Sequence, residues 1–307
     1  MADGNDIVAQ FIRQLTWDTL PEAVRQRAKL CLLDNLGAVL GGSMTPVSRI
    51  AADYAAGTWQ GDEATILLSS RRAKAAGTAF ANACAGNGLD IDDDAIFTRG
   101  HPGAQLLPVV LAVAEKTGAG GQALLEALVV GYEMAIRTGR CWHDHHDIYQ
   151  GDGAWGSVAN AAASARLLML NEEQIRHALG IAEYFSPNAP LMRDIDHPTM
   201  VKHGIGWGAM VGVTAAEVLA GEPAAFDARA VPAVIYTDPQ IAVCGITETE
   251  AAREDMDIDV ARFPWRASGR AVSMGGEEGF TKLLLDPGSG RVLGMGVVGP
   301  HAEVLIA

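Results

Sequence analysis

The feature that most constrains this fold is a change of texture near residue 221. Before it, the chain is a succession of helical stretches rich in Ala, Leu and Gly. From Val231 onward it becomes short β-rich runs separated by Pro and Gly. A period of 3.6 and a period of 2 bury their apolar faces against different kinds of partner. The 307 residues therefore read as two domains, at about 100–200 residues each. Residues 1–221 form a mostly α-helical domain. Residues 222–307 form a smaller α+β domain with an antiparallel sheet.

Within the first part, Pro21 suits a first helical turn, and 22–40 carries apolar residues at helical spacing before Gly41 and Gly42. Further helices are predicted over 73–89, 104–116, 122–138, 157–170, 172–182 and 204–219; only 64–68 looks strand-like. Ala and Gly on many faces permit close helix packing. In the second part, 231–236, 241–246, 258–263, 280–285 and 292–298 read as strands, and 249–256 as an acidic helix. Asp286, Pro287, Gly288, Ser289 and Gly290 make a hairpin turn between the last two strands.

Charge narrows the partners. Lys and Arg number 23 against 37 Asp and Glu, a net of −14. Such a chain repels nucleic acid and anionic membranes at long range. The longest apolar run, Leu106 to Ala114, is broken by Glu115 and Lys116, short of the ~20 residues of a membrane helix. Neither nucleic acid nor membrane is an expected partner. Cys31, Cys84, Cys141 and Cys244 form no CxxC pair and suit buried thiols in a reducing cytoplasm. The first residues show no basic region and no apolar signal core, which fits a cytoplasmic location.

Three segments carry candidate chemistry. Asp90, Asp92, Asp93 and Asp94 precede His101, Pro102 and Gly103. Carboxylates this close cannot all ionise cheaply, so at least one has a raised pKa and suits acid/base work. The competing reading is an acidic loop at a helix end that faces water. An all-oxygen divalent-metal site is the weaker option, because no EF-hand spacing is present. Cys141, His143, His145 and His146 lack a second pair at zinc-finger spacing and read as a solvated His-rich loop. Lys202 and His203 precede the Gly-rich helix start Gly204 to Gly208. A cation beside free N–H groups suits a carboxylate, although a surface lysine fits the position equally. The two GxGxxG matches, 151–156 and 294–299, lack the flanking strand and βαβ context of a dinucleotide site.

Several ordered motifs resemble the MmgE/PrpD family, which includes 2-methylcitrate dehydratase and cis-aconitate decarboxylase. They are Leu33 to Gly37, Asn87 to Asp93, His101 to Gly103, Gly153 to Ser157, His177 to Ala182, and Met200 to Lys202 before Gly206 and Trp207. The resemblance covers about residues 6–220. It implies metal-free acid/base chemistry, without a cofactor, on a small anionic polycarboxylate: loss of water, loss of carbon dioxide, or movement of a proton beside a carboxylate. It also implies that Asp90, His101 and Lys202 are catalytic. Lys202 and His101 would bind carboxylates, and Asp90 would orient a base or exchange a proton. Asp94, His146 and His203 are further candidate substrate-binding residues. Two departures stand out. Asp94 replaces a common threonine, and its charge disfavours a tricarboxylate. The usual His-Pro before the Ala-rich helix is missing where His146 to Tyr149 stand. The family's smaller lid domain is also not expected in this chain.

Residues from about 215 onward resemble a different family. Ala215 to Gly221, Phe226 and Asp227, Val231 to Pro239, Phe263 to Trp265, Ala267 to Ala271 and Gly279 to Leu283 are similar to the dimerisation domain of pyridine nucleotide-disulfide oxidoreductases of the dihydrolipoamide dehydrogenase type. This implies a partial dimerisation domain and a homodimer. No redox cysteine pair and no matching catalytic histidine are present, so flavin disulfide chemistry is not expected. The two resemblances overlap at 214–221, as in a fusion through a shared helix. The leading expectation is an MmgE/PrpD-like lyase or isomerase, with loss of the lid as an expected source of impairment. The alternatives are a non-catalytic dimerising fusion and a remnant of a dihydrolipoamide dehydrogenase-type flavoprotein.

Overall fold

A computed structural model describes residues 4–196, 202–221, 233–235, 239–273 and 275–302. The chain divides into two compact units, Met1–Ala224 and Ala225–Ala307. The quoted segments around Met200, Phe226, Val231 and Tyr236 lie outside the described residues, in whole or in part.

The first unit is helical. Its elements are α1 (Gly4–Gln14), α2 (Glu22–Gly42), α3 (Pro46–Thr58), the strand pair β1 (Ala64–Thr65) and β2 (Arg72–Ala73), α4 (Ala75–Gly86), α5 (Pro102–Thr117), α6 (Gly121–His145), α7 (Asp152–Leu167), α8 (Glu172–Tyr184), α9 (Leu191–Asp196) and α10 (Ile205–Ala220). Local signals set many boundaries. Thr45 caps α3 through Ser48 N, and Pro46 opens its first turn. Asn171 and Gln174 cap each other's backbone at the start of α8. Gly118, at φ +68°, ends α5 in the left-handed conformation.

Two sequence expectations change here. Helices α1, α3 and α9 were not among the predicted stretches. Helix α6 runs on to His145, because no Gly or Pro interrupts Arg140 to His146. The His-rich segment is thus mainly a helix end rather than a loop. The four cysteines are free, but none is fully buried as expected: Cys31, Cys84 and Cys244 are half-buried and Cys141 is exposed.

Helix α7 sits at the centre. Ala154, Trp155, Ala159, Ala161, Ala162, Ala163 and Ala165 are all buried, as expected of a helix enclosed on every side. Helices α6, α10, α5 and α8 pack around it. Its contact with α10 is backbone on backbone. A Cβ on Gly153 would stand 2.1 Å from the Gly204 carbonyl oxygen, and one on Gly208 would stand 2.7 Å from Gly153 Cα. The glycines of the first GxGxxG match therefore serve helix contact.

In the second unit, β3 (Ala233–Ile235), β4 (Ile241–Gly245), α11 (Glu248–Arg253), β5 (Asp259–Pro264), α12 (Gly269–Ser273), β6 (Phe280–Leu285) and β7 (Val292–Val298) follow in order. The five strands form an antiparallel sheet in the order β3-β4-β7-β6-β5. The β6–β7 turn is held by Asp286, whose Oδ1 accepts from Ser289 N at 2.6 Å. Trp265, Ala242, Val297 and Ala302 form the small core. The Trp265 indole lies against Gly279 and Gly299, where a Cβ at either would meet it at 2.2 Å. Among the described residues, no single helix is long and apolar enough to cross a membrane.

The helix contact makes a paired prediction. Gly208→Ala is expected to destabilise the first unit by about 1–3 kcal/mol through overpacking. Gly180→Ala, on α8 with open space around it, is expected to stabilise it by about 0.4–1 kcal/mol. Urea midpoints followed by circular dichroism at 222 nm would separate the two.

Candidate active site

The loop after α4 turns inward around one amide. Asn87 is fully buried, and its Nδ2 donates to Asp90 Oδ1 at 3.0 Å and to both Asp92 carboxylate oxygens at 3.1 Å. Asp90 takes φ +58° to make the bend. The Asp92 side chain is completely enclosed, whereas that of Asp90 is 54% exposed. Asp93 Oδ1 accepts from Gly103 N at 2.8 Å, at the start of α5, where the helix dipole favours a negative charge. Its Oδ2 accepts from the Tyr132 hydroxyl at 2.8 Å. Burial pushes both Asp92 and Asp93 above the usual carboxylate range. The expected raised carboxyl is present, but desolvation outweighs the mutual repulsion in raising it. The water-facing reading of this loop holds for Asp94 and fails for Asp92 and Asp93.

His101 stands at the other end of this loop. Its backbone N–H donates to Asp152 Oδ1, at the first residue of α7. Its Nδ1 lies 2.9 Å from the Asp93 carbonyl oxygen and 3.4 Å from Asp92 Oδ2. A carbonyl only accepts, so Nδ1 carries the proton and Nε2 holds the lone pair of the neutral ring. Burial disfavours charge on His101, but Asp92, Asp152, the Asp93 carbonyl and Asp90 outweigh it and raise its pKa. Asp152 is itself buried, and desolvation pushes its carboxyl up to about 6 despite the His101 N–H and the neighbouring imidazoles.

His203 approaches from the turn before α10. Lys202, His203 and Gly204 are three successive left-handed residues, at φ +46°, +56° and +71°. The His203 N–H donates to Asp194 Oδ2 at 2.6 Å, and Nδ1 lies 2.9 Å from the same oxygen. The two imidazoles face each other at 6.0 Å with an 18° tilt. His203 Nε2 is 3.7 Å from Asp90 Oδ1. One ligating atom each from Asp90, His101 and His203 lies within 4.8 Å of the others.

Of the sequence candidates, then, Asp90, His101 and His203 converge. Lys202 stands beside His203 on the same turn, half-buried. Asp94 and His146 do not join them. Asp94 is exposed and lines an open cleft of about 650 Å³ with Arg27, Cys31, Asp34, Tyr132 and Asp93, on the outer side of the acid shell. His146 follows the last turn of α6, exposed, its ring stacked on Trp142 at 4.4 Å. Sequence reasoning missed Asp152 and Asp194 as partners of the histidines. Asp152 lies five residues before the helix predicted over 157–170, and neither it nor Asp194 carried a signal.

The chain belongs to the MmgE/PrpD family: the MmgE/PrpD N-terminal domain matches residues 6–226. A second match, to the pyridine nucleotide-disulphide oxidoreductase dimerisation domain, covers residues 231–307. Curated relatives include the dihydrolipoyl dehydrogenase of Halobacterium salinarum, 50% identical over 96 residues, which are 31% of this chain and 20% of that protein. That of Haemophilus influenzae is 40% identical over 120 residues, 39% of this chain and 24% of the relative. That of Thermus scotoductus is 40% identical over 125 residues, 41% of this chain and 26% of the relative. The chain thus spans only a fifth to a quarter of the length of these relatives.

The acid shell has a measurable consequence. A raised His101 pKa means that the folded state binds the proton more tightly than the unfolded chain. Its stabilising contribution is complete below about pH 6.5 and is lost as pH rises through the folded value. Asp92→Asn removes the charge nearest the ring and is expected to lower the His101 pKa in an NMR titration. It is also expected to flatten the fall in stability above pH 6.5, read as urea midpoint against pH.

Proposed function

We propose that the first unit is a lyase or isomerase of the MmgE/PrpD type, working on a small polycarboxylate by side-chain acid/base chemistry. The observation that carries this reading is the convergence of Asp90, His101 and His203 inside a shell of buried carboxyl groups. Family membership supports the same class.

Each residue then has a physical role. His203 and Lys202 bind substrate carboxylates, which compensates locally for the net charge of −14. Charged His101, favoured by Asp92 and Asp152, is the acid that gives its Nε2 proton. After that transfer the ring is neutral, with Nδ1–H still held by the Asp93 carbonyl, and Nε2 can take a proton back. Asp90, exposed and 3.7 Å from His203, exchanges the proton beside the substrate carboxylate. The reaction is loss of water, loss of carbon dioxide, or relocation of a proton.

A panel of cis-aconitate, 2-methylcitrate and related hydroxy and unsaturated acids tests this reading. Turnover is expected with at least one, and His101→Asn is expected to lower kcat by about 10²–10⁴-fold. Turnover no greater than that of Lys202→Ala across the whole panel would overturn it.

We also propose that the second unit pairs the chain into a homodimer. The match to a dimerisation domain supports this. Light scattering coupled to size exclusion is expected to give twice the mass of the chain; a monomer at micromolar concentration contradicts it.

A further inference from the structure

We infer that α2 pairs with the α2 of a second copy of this chain, antiparallel and about a two-fold axis beside Leu32. This surface is distinct from the second unit, and the inference does not rest on the pairing assigned to that unit.

Helix α2 is buried along one line and apolar along the opposite one. The inward line carries Ala28, Asn35 and Gly42, one every seventh residue and all buried. The outward line carries Leu30, Leu33, Gly37 and Leu40, with Met44 just past the helix end. Steps of three and four residues alternate along it, the spacing of a coiled-coil seam. The structure leaves this seam in water: Leu30 is 58% exposed, Leu33 67%, Leu40 38% and Met44 82%. Gly37 lies open too, since a Cβ there would meet nothing within 4 Å. A single exposed leucine is ordinary, but a contiguous apolar row marks an interaction site.

Charge selects the occupant. Arg27 and Asp34 flank the seam, both exposed, and neither has an ion-pair partner among the described residues. Helix α2 runs from Glu22 to Gly42, so its middle is Leu32. Two copies laid antiparallel over their full length set each Leu30 against the other copy's Leu33. The same register brings each Arg27 to the other copy's Asp34, twice by symmetry. A seam that complements itself in charge and in apolar pattern fits a second copy better than an unrelated protein. Arg27, Leu30, Leu33 and Asp34 also line the open cleft beside Tyr132 and Asp93. A second copy seated there covers the outer side of the acid shell, and so links assembly to the withdrawal of Asp93 from water.

The test is sedimentation equilibrium of the full chain, with circular dichroism to check that each variant is folded. Leu33→Asp is expected to weaken self-association by at least about 100-fold, because the change falls twice in one contact. Ile50→Asp, similarly exposed on α3, is expected to leave it unchanged. Arg27→Glu and Asp34→Arg each set like charges together, and each is expected to weaken association by about 10-fold or more. The double variant Arg27→Glu with Asp34→Arg is expected to return to within about threefold of the unaltered chain. A monomeric unaltered chain would overturn the inference. So would a dimer indifferent to Leu33→Asp, an equal effect of Ile50→Asp, or a double variant no tighter than the single ones. A dimer indifferent to Leu33→Asp leaves pairing through the second unit standing. A double variant that fails to recover assigns the seam to a different occupant. Should Leu33→Asp fail to fold, the exchange of Arg27 and Asp34, both on the surface, still decides.

Discussion

The backbone contact between α7 and α10 is the constraint on which the first unit depends. Where Gly153 meets Gly204 and Gly208, no side chain separates the two helices. That approach brings the His203 turn against the start of α7; a Cβ on Gly151 would stand 2.8 Å from the His203 carbonyl oxygen. Asp152 occupies the same first turn and holds the His101 backbone. The site is thus built outward from a helix crossing.

Burying several carboxyl groups near one another costs desolvation energy. The structure offsets this with local donors. Asn87 serves Asp90 and Asp92, Tyr132 and Gly103 serve Asp93, and the His101 backbone serves Asp152. Asn35, inside α2, donates in turn to the Tyr132 oxygen at 3.1 Å. The acid loop is therefore wired to α2, α5 and α6, and its charge state is a property of the packed unit. This explains why a run of aspartates that looks solvent-bound in the sequence carries two members that are largely withdrawn from water.

Much of the fold was legible because apolar period and punctuation agree. Helix α2 follows Pro21 and closes at Gly42; the β6–β7 turn follows its Pro and Gly residues. Helix α3 was announced by Thr45, its cap, and by Pro46 in its first turn, although it was not among the predicted stretches. Asp90 and His101 were legible through motif order. Asp152 and Asp194 were not, because their partners lie far away in sequence and only tertiary packing unites them. Asp94 and His146 show the converse case. Each sits close in sequence to a site or a motif, but a turn or a helix end points it elsewhere.

The grip on α1 has a consequence for how the chain is made. Arg166 on α7 bonds the carbonyls of Ile12, Arg13 and Leu15 and pairs with Glu126 at 2.9 Å, while Asp6 pairs with Arg176 on α8. Helix α1 is therefore secured by residues synthesised more than 150 positions later. At about 5–20 residues per second, it waits on the order of ten seconds or longer with Ala9 and Ile12, buried in the finished fold, still uncovered. A nascent segment of this kind is a natural client for a chaperone, and its late docking closes the unit only after α7 and α8 have emerged.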